Sequence, residues 1–198
     1  MKKEMTLQEI QNILGYEVKI VASKPTKQLS DIAAGETFKI GDLEFIVLGH
    51  TNGNTCVILK DFWKEEKFDS SSNNYANSSV RKELNGKFYN KLVALVGKDN
   101  IVRHTVDLTS DDGRDDYEEV EDFVSLLTCD MYRKYVHTLD KYRPSGWWWL
   151  ATPYSTESNG YSIWVRYVFD DGALCDGDCG CDGGVRPFCI FKSSISVS

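Results

Sequence analysis

The sequence predicts an α+β fold, and three features of its pattern support that prediction. Short apolar runs with strand-like spacing fill residues 38–59, a helical apolar pattern occupies residues 78–96, and a second alternating region begins near residue 146. We therefore expect mixed antiparallel sheets together with two or more helices. The chain has 198 residues, of which 41% are hydrophobic and 12% aromatic, which is enough to bury a core.

The first 28 residues are predicted to form a helix-strand appendage to a main domain at residues 29–198. Within residues 5–14, four apolar residues at helical spacing follow Thr6, a candidate N-cap, and Gly15 ends the pattern. These residues are Leu7, Ile10, Ile13 and Leu14. Residues 16–21 alternate like a strand, and the polar stretch 23–30 predicts a linker.

The middle of the chain predicts a β-meander followed by helices. Apolar runs at residues 38–40, 43–48 and 56–59 are separated by turn residues, which predicts three antiparallel strands. A capped helix start at Ser78 leads into a pattern that reaches residue 96, either as two helices or as one helix broken at Gly86. The acid-rich residues 109–122 predict an exposed, solvated loop before a short helix at 126–135.

The charge of the chain restricts its partners. A formal net charge of -7 argues against a nucleic-acid or anionic-membrane surface, because both require a basic face. No stretch approaches the roughly 20 apolar residues of a membrane span, and the N-terminus lacks the apolar core of a signal peptide. We expect a protein that is cytoplasmic as synthesised. If it acts outside a cell, its routes are lysis, a dedicated export apparatus, or association with a virion.

Four motifs carry a resemblance to a known family. They are residues 147–153 (WWWLATP), 159–162 (NGYS), 171–172 (DG) and 184–188 (GVRPF). In this order they resemble the C-terminal module of the variable proteins that retroelements diversify in gut bacteria and their phages. Residues 35–102 and 125–128 also look like the domain that precedes this module. The resemblance implies a C-type-lectin-like fold, related to that of formylglycine-generating enzymes.

The resemblance also implies a variable ligand face at residues 158–184. In that family the framework is retained, while exposed positions in this window vary through misincorporation opposite template adenines. An AAC codon then becomes another codon ending in C, which never encodes Lys, Glu, Gln or Met. The window contains none of these four residue types. Trp164 departs from the rule, because its codon ends in G.

Nine residues of this window are predicted to contact the ligand. The resemblance implies that the ligand is a protein or glycan at a cell surface. The nine residues are Trp164, Arg166, Tyr167, Phe169, Cys175, Asp176, Asp178, Cys181 and Asp182. Aromatic and arginine side chains carry much of the binding energy at interfaces. A bulge or bend is needed to bring the first four residues to one face of a strand.

The six cysteines do not form a disulfide framework, because four crowd the last quarter of the chain and two stand alone. We expect free thiols. Zinc is disfavoured, since the spacing lacks a Cys-x2-Cys knuckle. Calcium at Asp176, Asp178 and Asp182 is the alternative, although Gly180 stands where a loop site needs a ligand. No metal or cofactor is therefore predicted.

The tryptophans at 147–149 and Arg186 are predicted to support the fold rather than to contact a ligand. At least two of the tryptophans at 147–149 are expected in the core, rather than in a platform that stacks on carbohydrate. Arg186 is expected to be partly buried and paired with a framework carboxylate, rather than to bind an acidic ligand.

Enzymatic activity is not predicted. The three histidines are isolated, and the chain contains neither a nucleophile elbow nor a phosphate-binding loop. Aspartates around Cys179 and Cys181 disfavour the thiolate that catalysis requires. The leading hypothesis is a ligand-binding adhesin or receptor-binding protein of a bacterium or phage. The alternatives are a prophage accessory protein of the same fold that is not diversified, and an enzyme of the formylglycine-generating type.

Overall fold

A computed structural model describes residues 6–16 and 27–198 of the chain. The helices are α1 (Leu7–Leu14), α2 (Ser79–Glu83), α3 (Tyr89–Val96) and α4 (Cys129–Leu139). The strands are β1 (Lys27–Gln28), β2 (Thr37–Ile40), β3 (Leu43–Thr51), β4 (Asn54–Leu59), β5 (Lys64–Lys67), β6 (Ile101–Val102), β7 (His104–Asp107), β8 (Glu119–Asp122), β9 (Val124–Ser125), β10 (Trp148–Pro153), β11 (Trp164–Val168), β12 (Leu174–Asp178), β13 (Asp182–Val185), β14 (Phe188–Lys192) and β15 (Ser196–Val197). The predicted α+β class is confirmed.

The N-terminal helix α1 has the bounds that its sequence signals predict. The backbone N–H of Glu9 donates to Oγ1 of Thr6 over 3.3 Å, while the N–H of Thr6 donates to the Glu9 carboxylate over 2.7 Å. This capping box satisfies two orphan donors of the first turn. The helix ends at Gly15 in the left-handed conformation. Of the strand predicted at 16–21, residues 17–21 lie outside the described part of the chain.

One sheet is built on the predicted meander. Strands β2, β3 and β4 are antiparallel neighbours, as expected, and β14 adds to the free edge of β4. The other edge of β14 pairs with β6 and β9 in succession. Strand β14, which is close to the C-terminus, therefore lies inside this sheet, flanked by strands from the first two thirds of the chain.

The second sheet carries the C-terminal alternating region. Its strand order is β12-β11-β10-β13-β5, in which only the pair β10 and β13 is parallel. In this alternating region, β11 covers Trp164–Val168. Arg186 and Pro187 then lead the chain from β13 in this sheet to β14 in the other.

The helices begin where side chains cap them. Oγ of Ser78 accepts the N–H of Arg81 at the start of α2, and a π-helical turn at Leu84–Phe88, which contains Gly86, joins α2 to α3. Helix α4 begins after Thr128 rather than at residue 126, because the carbonyl of Leu127 accepts a hydrogen bond from Ala151 of β10. No helix among the described residues has the length and apolar character to cross a membrane.

Alternate residues of both sheets face two apolar clusters. The first cluster includes side chains from α2 and α3, and the second includes side chains from α4. Trp149 belongs to the first and Trp148 to the second, and both are buried as predicted, while Trp147 is partly buried. Neighbouring residues of β10 thus point into opposite clusters, as the alternation of a strand requires.

Two predicted loops contain regular structure. The acid-rich residues 109–122 end in β8, which pairs with β7, and the buried Asp122 binds Arg81 over 2.7 Å. The expectation of a solvated loop is therefore wrong for that part. Residues 27–30 of the predicted linker form β1 and the start of a short 3-10 helix, because β1 pairs with β15 and Leu29 is buried.

Arg186 occupies the crossing between the sheets and is only 1% exposed. Its Nε donates to the carbonyl of Leu59 over 2.8 Å, and Nη2 donates to the carbonyls of Lys60 and Tyr142 over 3.0 and 3.1 Å. The guanidinium carbon lies 5.1 Å from the ring centre of Trp148. The prediction that Arg186 pairs with a carboxylate is wrong, because its guanidinium donates to backbone carbonyls instead.

Burial lowers the pKa of Arg186 to about 10, so the side chain remains charged at neutral pH. We predict that Arg186→Met lowers the free energy of unfolding by about 3 kcal/mol, because the buried carbonyl of Leu59 and the partly buried carbonyls of Lys60 and Tyr142 would lose their donor. Urea denaturation measures the loss. The matched control is Arg103→Met at an exposed site, expected to change stability by less than about 0.5 kcal/mol. Equal effects of the two substitutions would contradict the assigned role of Arg186.

Candidate functional site

The nine residues predicted to contact ligand lie on the hairpin of β11 and β12 and on the segment that leads into β13. None of the nine is buried. Five are exposed, namely Trp164, Phe169, Asp176, Cys181 and Asp182. The other four are partly exposed, namely Arg166, Tyr167, Cys175 and Asp178.

The hairpin places these residues on two faces. Strands β11 and β12 pair without a bulge, so directly opposed residues share a face. Trp164 lies opposite Asp178 and Arg166 opposite Asp176, and we call this side the arginine face. Tyr167 lies opposite Cys175 on the other side, which we call the tyrosine face. The ring of Phe169 is 6.4 Å from that of Tyr167, so the four residues at 164–169 are not brought to one face.

Exposed aromatic rings gather on the arginine face. The rings of Tyr154 and Tyr161 lie 5.3 Å apart, and the guanidinium of Arg166 lies 5.5 Å from the ring of Tyr154. The N–H of Tyr154 donates to the carbonyl of Trp164, which places these residues side by side. Between 37% and 41% of each of the three aromatic residues is exposed. We call Tyr154, Tyr161, Trp164 and Arg166 the aromatic-arginine patch.

Ion pairs fix the position of Arg166. Its Nη2 donates to Asp111 over 2.6 Å, and its Nη1 donates to Asp176 over 3.2 Å. The other oxygen of Asp111 accepts from Arg133 of α4 over 2.7 Å. Burial opposes the ionisation of Asp111, but the hydrogen bond from Arg133 and the charge of Arg166 outweigh it and lower its pKa. Asp111 is therefore ionised, and its carboxylate holds the guanidinium of Arg166 in place.

A buried asparagine holds the backbone of the patch. Nδ2 of Asn73 lies 2.8 Å from the carbonyl oxygens of Ser155 and Tyr161 and 2.9 Å from that of Trp164. Its Oδ1 accepts from the hydroxyl of Tyr117 over 2.8 Å. The segment between β10 and β11, which has little regular structure of its own, is thereby fixed to the rest of the domain.

On the tyrosine face, Tyr167 packs against Trp147, and a glycine leaves the space for the Trp147 ring. The ring of Trp147 packs 4.7 Å from the ring of Tyr167 and 4.6 Å from that of Trp149. A Cβ atom on Gly183 would lie 2.3 Å from the Trp147 ring, so only glycine leaves room for it. Burial raises the pKa of Tyr167, and Cys175 raises it further. Tyr167 is therefore a neutral phenol on this face.

The segment between β12 and β13 runs from the buried Cys179 to the exposed Cys181. Oδ1 of Asp178 accepts the N–H of Gly180 over 2.8 Å, while Cys181 and Asp182 are exposed. Asp182 lies opposite Lys67 in β5, and two strands, β11 and β10, separate it from Asp176 in β12. Among the described residues no group of three or more His, Cys, Asp and Glu side chains converges as metal ligands would.

The buried thiols are poor nucleophiles. All six cysteines have free thiols. Burial raises the pKa of Cys179 and of Cys129 to about 11, and it raises the pKa of Cys189 further. Because the thiolate is the reactive form, these side chains are unreactive at neutral pH.

Sequence analysis missed several residues that support the site. Tyr154 lies outside the window, and Asp111 lay in a stretch interpreted as solvated. Asn73 belongs to a Ser/Asn tract that gave no functional signal. Each is joined to the hairpin by a contact across 10 residues or more, and the one sequence signal was a tyrosine directly after Pro153, where a loop begins.

Comparison with protein-family models, with curated proteins and with solved structures finds no match to this chain. The function is therefore argued from the geometry and the sequence.

The ion pairs of Asp111 predict a pH-dependent stability. Its folded pKa lies below the ordinary value, so the carboxylate stabilises the fold above about pH 3.9 and loses this contribution as the pH falls through the folded pKa. Asp111→Asn is expected to cost about 1 kcal/mol at pH 7, and the difference from the wild type should vanish in acid.

Urea denaturation across the acidic range measures this difference. The control is Asp130→Asn, which removes a 90% exposed carboxylate that contacts the same Arg133 and should change little. A loss of stability for Asp111→Asn that is constant with pH would show that the ion pairs are not its cause.

Proposed function

We propose that this chain is a ligand-binding variable protein of a bacterium or phage, with a C-type-lectin-like fold and no enzymatic activity. Its ligand is a protein or glycan at a cell surface. The ligand contacts the hairpin of β11 and β12 through the exposed residues of the window 158–184. The observation that carries the proposal is the aromatic-arginine patch on the arginine face.

The patch has the composition of a binding hot spot. Tyr, Trp and Arg are the residues that most often dominate interface energies. Three aromatic rings here are more than one third exposed, although burial of large rings is the ordinary outcome of folding. The rings of Tyr154 and Tyr161 lie 5.3 Å apart, Arg166 lies over that of Tyr154, and the carbonyl of Trp164 accepts the backbone N–H of Tyr154. A clustered set of this kind supports recognition of a partner.

The patch is also held in place before a ligand arrives. Asp111 and Asp176 fix the guanidinium of Arg166, and Asn73 fixes the carbonyls of Tyr161 and Trp164. Side chains and backbone that are already ordered lose less entropy on binding. The arrangement matches a rigid framework beneath an exposed contact surface, which is a sound basis for affinity.

The position of the variable window supports diversification. All nine candidate contact residues remain at least partly exposed, whereas the residues between them that hold the hairpin are buried. The buried ones are Val165, Val168, Cys179, Gly183 and Gly184. Substitution at the five fully exposed positions would leave the buried packing of the hairpin unchanged, as a protein that varies its ligand face requires. Tyr167 differs from them, because it packs against Trp147.

The burial of Cys179 argues against catalysis by that thiol, while Cys181, the other candidate, is exposed. Formylglycine-type activity requires a reactive, accessible thiolate, and Cys179 was one of two candidates. Cys179 is buried, and its pKa is raised to about 11. A thiol in this state is protonated at neutral pH and out of reach of a substrate.

The proposal predicts which codons differ between sibling isolates of the source organism. The exposed positions, which include Tyr161, Phe169, Asp176, Cys181 and Asp182, should vary. The five buried positions should stay constant, because a change there would disturb the core. The measurement is to sequence the locus, with its flanking DNA, from several isolates and to search for a template repeat and a reverse transcriptase.

The outcome separates diversification from the alternative. Differences restricted to positions at which the repeat has adenine would support a variable ligand face. A locus with no repeat, or with differences spread equally over buried and exposed codons, would rule out diversification and favour an accessory interaction protein of the same fold.

A further inference from the structure

A cleft away from the hairpin has the features of a second binding site. It lies between the β2–β3 turn, the segment that joins β4 to β5, and the residues that precede β10. Its volume is about 860 Å³, within the range of roughly 300–1,000 Å³ that is typical of small-molecule sites. None of the nine candidate contact residues lines it.

Aromatic rings form part of its wall. Phe62, Trp63 and Tyr142 line the cleft. A Cβ atom on Gly184 would lie 2.6 Å from the ring of Phe62, so this glycine leaves space for the ring. The N–H of Trp63 donates to the carbonyl of Val185 over 2.9 Å, which fixes its backbone. Planar ligands stack well on such surfaces.

Ion pairs neutralise most of the charged groups that line the cleft, including Arg143, which pairs with Asp140 over 2.8 Å. Among its described residues, Lys141 and Asp61 are the two that have no salt bridge. Four basic residues and three acidic residues line it. Lys60 pairs with Glu44 over 3.0 Å, and Lys91 pairs with Asp42 over 2.7 Å. Lys141 is exposed, and no carboxylate of the described residues lies within salt-bridge distance of it. Its ammonium is therefore available to a ligand.

The walls of the cleft are held by Arg186. The carbonyls that accept its hydrogen bonds belong to Leu59, Lys60 and Tyr142, and all three residues line the cleft. The side chain of Lys60 also lies 5.9 Å from the ring centre of Tyr142. The same buried arginine that joins the two sheets thus fixes the aromatic and basic groups of the cleft relative to each other.

We propose that this cleft binds a small organic anion that contains a planar aromatic ring. The ring packs against Phe62, Trp63 and Tyr142, and a carboxylate or phosphate group accepts a charge-assisted hydrogen bond from Nζ of Lys141. This site is independent of the proposed ligand face on the hairpin.

The test is a titration of the full chain with naphthoate and naphthyl phosphate, followed by NMR. Naphthalenemethanol is the neutral analogue of the same ring. We expect saturable shifts in the signals of the cleft residues, with the better anion bound about tenfold more tightly than the neutral analogue. The two anions distinguish a carboxylate site from a phosphate site.

Substitutions locate the anionic group. Lys141→Met should reduce the affinity for the anion to that for naphthalenemethanol, while Lys192→Met, an exposed lysine outside the cleft, should leave it unchanged. The proposal is overturned if neither anion gives saturable shifts, if the neutral analogue binds equally well, or if Lys141→Met and Lys192→Met behave alike. Shifts restricted to the hairpin would also overturn it.

Discussion

The three hydrogen bonds that Arg186 donates to backbone carbonyls hold the point where the chain passes from one sheet to the other. At this point β13 ends and β14 begins. The hydrogen bonds to Leu59 and Lys60 hold the end of β4, and the hydrogen bond to Tyr142 holds the segment before β10. A buried guanidinium suits this position because it offers several donors in a fixed plane. The core on both sides of β10 depends on that crossing.

The two candidate binding surfaces, the cleft and the hairpin, differ in how closely they depend on the hydrogen bonds of Arg186. The cleft shares its wall residues with the Arg186 hydrogen bonds, so its geometry is coupled to the stability of the fold. The hairpin of β11 and β12 lies at the edge of its sheet and is fixed by separate contacts from Asn73 and Asp111. Changes on the exposed hairpin therefore need not disturb the centre of the molecule.

Local patterns predicted much of the fold, because caps, turns and alternation act over a few residues. The helix that begins at Thr6, the meander of β2 to β4 and the burial of Trp148 and Trp149 are of this kind. The contacts that hold the hairpin of β11 and β12 in place could not be predicted from such local patterns. Arg166 and Asp111 are 55 residues apart, and only the folded chain shows that they meet. The partners of Arg186 are backbone atoms, which carry no sequence signal.

The central claim is that the exposed residues of the hairpin are a contact surface rather than part of the framework. Its most direct test displays two libraries on cells and measures resistance to protease. One library randomises Tyr161, Trp164, Phe169, Asp176, Cys181 and Asp182, and the other randomises Val165, Val168, Cys179 and Gly183. We expect most members of the first library to remain as resistant as the wild type and most members of the second to be cleaved. Equal losses in both libraries would contradict the account.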